Sequence, residues 1–60
     1  MTEPGATIPD ANALVNDAIT SNQNGDTATA NQQFEQAAQI YEQNGEASNA
    51  QDARDLITPV

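Results

Sequence analysis

The side chains of this sequence that could do chemistry are nearly all carboxylates. Of its 60 residues, nine are Asp or Glu and one, Arg54, is basic, and the sequence contains no His and no Cys. The commonest general base and the usual soft metal ligands are therefore missing. Carboxylate pairs one helical turn apart, such as Asp52 and Asp55, are typical of a solvated helix face. The sequence predicts a protein that is not an enzyme and holds no cofactor.

One stretch resembles a calcium-binding loop. Residues 20–25, Thr-Ser-Asn-Gln-Asn-Gly, place oxygen-bearing side chains at alternate positions before a glycine. A calcium loop of this type requires Asp at its first position and Glu at its twelfth, because these carboxylates supply most of the binding charge. This chain has Thr20 and Asn31 at those positions. We therefore predict no metal site.

The net charge of -8 limits the classes of partner. Phosphate backbones are bound through Lys and Arg, so we expect no nucleic acid partner, and the same argument disfavours anionic membrane surfaces. No run approaches the roughly 18 apolar residues of a spanning helix, and no basic stretch followed by an apolar run marks a secretory signal. We predict a soluble, cytoplasmic chain that binds a protein partner or associates with itself.

Most of the carboxylates, and Arg54, are carried by three predicted amphipathic helices. Apolar residues recur at helical spacing along residues 10–24 and 26–44, and more thinly along 47–57, so each segment is predicted to be a helix with one buried face. The middle stripe is wide enough for two neighbours, which makes its helix central. Arg54 interrupts the third stripe, so we expect the third helix to be the least stable.

The two helix junctions share one sequence pattern. Residues 23–26 and 43–46 both read Gln-Asn-Gly-acid, and the glycine can adopt the left-handed conformation that ends a helix. Asp10 is a candidate cap of the first helix, and Ser48 with Gln51 is a candidate capping box of the third. Because such short junctions force neighbouring helices to run antiparallel, we predict an all-α, three-helix, up-down-up bundle.

The chain is long enough for one small domain only. At 60 residues, folding buries about 60% of the unfolded surface, and most inward positions are alanine. We expect the helical domain to occupy residues 8–60, after a flexible tail over residues 1–7. Phe34 and Tyr41 share a stripe with alanines, which favours a place in the core over an exposed aromatic patch.

A set of residues at fixed spacing follows the first junction. It consists of a Gly-acid turn, a small residue five positions after the glycine, an aromatic nine after and a small residue twelve after. These residues are Gly25-Asp26, Ala30, Phe34 and Ala37. In this respect residues 25–37 resemble the second half of a tetratricopeptide repeat. The resemblance implies helix pairs that pack through small residues, one and a half hairpins in all, and a role in binding other proteins.

The resemblance covers roughly half of the chain. Around the second junction Tyr41 and Ala50 match the family, but Arg54 stands where an aromatic residue is expected. The two junctions are about twenty residues apart, whereas the family repeats every 34 residues or so. Because one and a half hairpins do not build the family's concave groove, the resemblance implies no peptide-binding residues here.

After these exclusions, the sequence leaves two candidate functions. We favour a small acidic protein-protein interaction module or regulatory subunit, whose candidate partner-binding residues are Ile40, Arg54, Leu56 and Val60. Arg54 could instead cover apolar surface with its stem and pair with a nearby acid. The alternative function is an acidic inhibitor that imitates nucleic acid and occupies a basic cleft. A mimic needs its acids along one face, whereas here they are spread over all segments, which favours the module.

Overall fold

The computed structural model describes residues 5–59, which form three helices and the short segments that join them. The helices are α1 (Ile8–Gln23), α2 (Thr27–Gln43) and α3 (Ala47–Asp55). Near the start of α1, Asn12 accepts a hydrogen bond from Tyr41 near the end of α2. Near the end of α1, Ser21 donates one to Gln33 in the first half of α2. The two helices are therefore antiparallel.

α3 packs against α2 in the same antiparallel manner. Tyr41, near the end of α2, shares a buried cluster with Ala50 near the start of α3, whereas Phe34 packs with Ile57 beyond the end of α3. α2 thus lies between α1 and α3 and makes extensive contacts with both. The prediction of an all-α, three-helix, up-down-up bundle with a central second helix is confirmed.

Both junctions end their helix in the same hydrogen-bonded turn. At the first, the backbone N–H of Asp26 donates to the carbonyl of Ser21 at 2.8 Å. The N–H of Gly25 donates to the carbonyl of Asn22 at 3.0 Å, which completes a Schellman motif. The second junction repeats both bonds at 2.8 and 3.1 Å. Gly25 and Gly45 have φ of +84° and +77°, where glycine has no Cβ to clash.

α1 begins earlier than predicted. Its first residue is Ile8 and its N-cap is Thr7, so Asp10 is the third helical residue and not the cap. The Asp10 carboxylate accepts hydrogen bonds from the Thr7 backbone N–H at 2.9 Å and from the Thr7 hydroxyl at 3.2 Å. Pro9 fits within this first turn because the N–H that it lacks has no partner there.

α3 is the shortest helix and ends at Asp55, two residues before the predicted end at 57. Its N-cap is Glu46, which makes no side-chain capping bond. The predicted capping box of Ser48 and Gln51 was wrong, because both residues lie inside the helix. Gln51 instead donates to the Asp55 carboxylate at 2.9 Å.

The core consists mainly of alanines that let the helices approach closely. Phe34, at 1% exposure, is the largest side chain among the fully buried residues of the described part. The buried apolar residues there are Ala11, Ala18, Ala30, Phe34, Ala37, Ala38, Tyr41, Ala50 and Ala53. The expectation that Phe34 and Tyr41 are core residues is therefore confirmed.

Two residues predicted to face the core are on the surface. Ile19 is 41% exposed, although its neighbour Ala18 is fully buried, and Ala47 at the start of α3 is exposed. A residue one position along a helix lies about 100° further round. Because α1 makes extensive contacts with α2 only, its buried face is narrower than its apolar stripe.

The predicted tail over residues 1–7 is described only at its end. Residues 1–4 lie outside the described part. The carbonyl of Ala6 accepts a hydrogen bond from the Asn44 side chain at 3.0 Å, and Thr7 caps α1. Residues 6 and 7 are therefore attached to the bundle.

Candidate functional site

A shallow groove separates α1 from α3 on one side of the bundle, with α2 beneath it. Six residues line it, and they come from all three helices and the residue that follows α3. They are Val15, Tyr41, Asn49, Asp52, Ala53 and Leu56. We refer to this set as the groove. The groove lies where α1 and α3 both pack on the alanines of α2.

Tyr41 contributes to the floor of the groove and is held in one position. Its side chain is 6% exposed and packs among the alanines of α2 and α3. Its hydroxyl donates a hydrogen bond to the side-chain carbonyl of Asn12 on α1, so the polar end of the ring is satisfied. The surrounding helices therefore hold the ring in place, and little of it is exposed at the floor of the groove.

Leu56 is the most exposed large apolar residue of the described part, at 46%. Its backbone N–H donates to the carbonyl of Ala53 at 3.1 Å. Two residues later, Thr58 exchanges two hydrogen bonds with the Asn31 side chain of α2, at 2.6 and 3.1 Å. Ile57, between them, packs against the cluster that contains Phe34. The chain on both sides of Leu56 is thus attached to the bundle, while the Leu56 side chain is exposed.

The size of the groove limits what it can hold. Its volume is about 110 Å³. Sites for small molecules usually measure about 300 to 1,000 Å³, whereas a cavity of about 150 Å³ accommodates a benzene-sized group. The groove is therefore smaller than a typical small-molecule site and has room for about one side chain.

Arg54 is bound by two carboxylates of α2. Its guanidinium donates to both oxygens of Glu35, at 3.2 and 3.0 Å, and to both oxygens of Glu42, at 2.6 and 3.2 Å. Such two-point contacts have favourable geometry and are stronger than single bonds. The hydrogen bonds that Arg54 donates lower the pKa of Glu35 and of Glu42, and the same bonds, accepted by Glu42 and Glu35, raise the pKa of Arg54.

This pairing corresponds to the second interpretation of Arg54, in which it contacts an acid of its own chain. The side chain is 33% exposed, and those of Glu35 and Glu42 are 41% and 49% exposed. Because the guanidinium donors already have partners, Arg54 serves to hold α3 against α2. It does not line the groove.

The remaining charged surface is acidic. Within residues 5–59, both salt bridges are made by Arg54, and no group of three or more acidic side chains has a metal-binding arrangement. The stretch that resembles a calcium loop is helical up to Gln23. None of the three helices has the length and apolar character needed to span a bilayer. Asp52 is the acid that lines the groove.

The four candidate partner-binding residues lie in different environments in the structure. Leu56 lines the groove, whereas Ile40 is half-buried and packs against the core cluster of Tyr41. Arg54 is paired with α2, and Val60 lies outside the described residues. Of the candidates that the structure describes, Leu56 is therefore the one that is exposed and lines the groove.

Sequence reasoning missed most of the groove, although a signal was present. Asn49, Asp52, Ala53 and Leu56 follow the i, i+3, i+4, i+7 spacing of one helix face. A search for apolar stripes ignores this face because half of its residues are polar. The spacing marks this face, but the groove itself depends on the exposure of Leu56 and on the separation of α1 and α3.

Comparisons of the chain with protein-family models, with curated proteins and with solved structures give no match. The function is therefore argued from the groove and from the charge of the chain.

Proposed function

We propose that this chain is a small, acidic, cytoplasmic protein-protein interaction module of the regulatory-subunit type, without catalytic activity. Its groove receives one apolar side chain of a protein partner, and Leu56 forms part of the contact. The observation that carries the proposal is that Leu56, whose backbone is hydrogen-bonded to α3, has an exposed side chain that lines the groove with Val15 and Tyr41.

The hydrogen-bonded backbone around Leu56 supports binding, because this segment is already ordered before association. An isolated exposed leucine is common on protein surfaces. Here, however, the side chain belongs to a concave surface that includes Tyr41 and Ala53. A partner that covers this surface gains apolar contact without first ordering the segment, which lowers the entropic cost of binding.

The size of the domain supports the same proposal. The buried apolar residues of the described part are alanine except for Phe34 and Tyr41, so the core removes little apolar area from water. A partner that binds only the folded chain adds to its stability by mass action. The resemblance of residues 25–37 to a tetratricopeptide repeat is a further support, since it implies a role in binding other proteins.

The proposal is tested by capture of partners with tagged chain from native cells, with mass spectrometry as the readout. Two variants are captured in parallel. Leu56→Ser changes the groove, and Ile19→Ser is its matched control, because Ile19 is comparably exposed at 41% but does not line the groove. A partner that binds the groove is retained by wild type and Ile19→Ser and lost by Leu56→Ser.

Equal capture by both variants would contradict the proposal. If, in addition, moderate salt releases the captured protein, the result would favour the alternative function, an acidic inhibitor that imitates nucleic acid. Such an inhibitor binds through charges, and salt screens them. Circular dichroism of both variants, which should match wild type, shows that a loss of capture is not a loss of folding.

A further inference from the structure

We propose that the occupant of the groove is a Lys- and Arg-rich segment of a different protein that carries one aliphatic side chain of about leucine size. This inference rests on the proposed function and adds the chemistry of the partner. The groove supplies the apolar contact, and Asp52 in its lining together with the net charge of -8 supplies the preference for basic flanks.

The charge of the described surface favours a basic occupant. Residues 5–59 contain eight carboxylates, of which Arg54 pairs with Glu35 and Glu42. The other six make no salt bridge within the described residues. They are Asp10, Asp17, Asp26, Glu46, Asp52 and Asp55. A basic segment would meet uncompensated negative charge, which steers association and selects the partner.

Asp52 places one of these charges directly in the groove. It lies on the same face of α3 as Ala53 and Leu56, so a side chain that enters beside Leu56 passes close to a carboxylate. A lysine or arginine next to the inserted side chain can therefore pair with Asp52 at the rim.

The same charges disfavour a second copy of this chain as the occupant. Each copy has a net charge of -8 and one basic side chain, Arg54. In each copy that side chain is already bound by Glu35 and Glu42. Two copies that met at the groove would bring like charges together without a cation to compensate them, which costs free energy.

The inference is tested with three synthetic peptides of equal length added to ¹⁵N-labelled chain at about 0.15 M salt, where charges are screened beyond roughly 8 Å. The first has one leucine flanked on both sides by lysines. The second has glutamine in place of each lysine, and the third has serine in place of the leucine. Amide shifts of Val15, Ala53 and Leu56 report occupation of the groove.

We expect the lysine-flanked leucine peptide to shift these signals and to bind at least about tenfold more tightly than either of the other two. Asp52→Asn should weaken its binding about threefold or more. Asp17→Asn removes the same charge and is the control, because Asp17 lies about 200° round α1 from Val15. Asp17→Asn should change the affinity for the lysine-flanked leucine peptide by less than half as much as Asp52→Asn does.

The possible results separate the two proposals. If the glutamine peptide binds the groove as tightly as the lysine peptide, the basic partner is refuted and the groove remains a binding site. If the serine peptide binds equally well, charge alone drives binding and the apolar insertion is refuted. If no peptide shifts the groove signals, the proposed function fails as well. A groove occupied by a second copy would show the shifts on concentration of the chain alone.

Discussion

Arg54 gives a pH dependence that can be measured. A carboxylate whose pKa is lowered by folding contributes stability that is complete above its ordinary value of 4.5 and is lost as the pH falls through its folded pKa. Glu35 and Glu42 are such groups because Arg54 stabilises their charged forms. The free energy of unfolding that they contribute should therefore decline on acidification below about pH 5.

Arg54→Met isolates this effect, because it keeps the apolar stem and removes the charge. The difference in unfolding free energy between wild type and Arg54→Met, from urea titrations, should shrink from about pH 5 to about pH 3. A difference that stays constant over this range would show that the two carboxylates do not depend on Arg54.

Phe34 is the residue whose loss the domain should tolerate least. It is 1% exposed at the centre of a cluster whose other buried members are Ala18 and Ala30. Phe34→Ala should cost about 3 to 5 kcal/mol, while a chain of this length has a total stability of about 3 to 9 kcal/mol. The variant should be largely unfolded by circular dichroism at 37 °C. A wild-type melting midpoint would show that Phe34 is not in the core.

At the scale of elements, the two junction glycines should be sensitive for a backbone reason alone. Gly45 has φ of +77°, and a Cβ built on it meets no atom within 4 Å. Gly45→Ala should therefore destabilise the domain by about 1 to 2 kcal/mol through backbone strain. Gly5→Ala is the control, since Gly5 has the same open surroundings without a positive φ. Equal denaturation midpoints for both variants would contradict this account.

The helices and their junctions could be predicted from sequence because their signals are local. The spacing of alanines with Phe34 and Tyr41, and the repeated Gln-Asn-Gly-acid pattern, are enough for a three-helix bundle. The exposure of Ile19 could not be predicted in this way, because it depends on how many neighbours α1 has. The groove could not be predicted either, because it arises from the separation of α1 and α3. Nor could the partners of Arg54, because they depend on how α3 packs against α2.

The whole molecule should be a monomer in the absence of its partner. Its charge of -8 opposes self-association, and the basic occupant inferred for the groove is a different protein. Sedimentation and thermal melting over a hundredfold range of concentration should give a constant mass and a constant midpoint. A midpoint that rises with concentration would show that copies of the chain bind each other.

The small alanine core should also make the isolated domain marginal. We expect a melting midpoint below about 70 °C, which should rise when the partner is added, because binding to the folded state alone stabilises it. A midpoint above this value in the isolated chain would refute the idea that the monomer is marginal.

The central claim is that a partner side chain enters the groove beside Leu56. The most direct test is methyl NMR of the labelled chain as the captured partner is added. The account predicts chemical-shift changes and new intermolecular contacts at the methyl groups of Val15, Ala53 and Leu56, with Ile19 unchanged. Changes confined to Ile19, with the groove methyl signals unmoved, would contradict it.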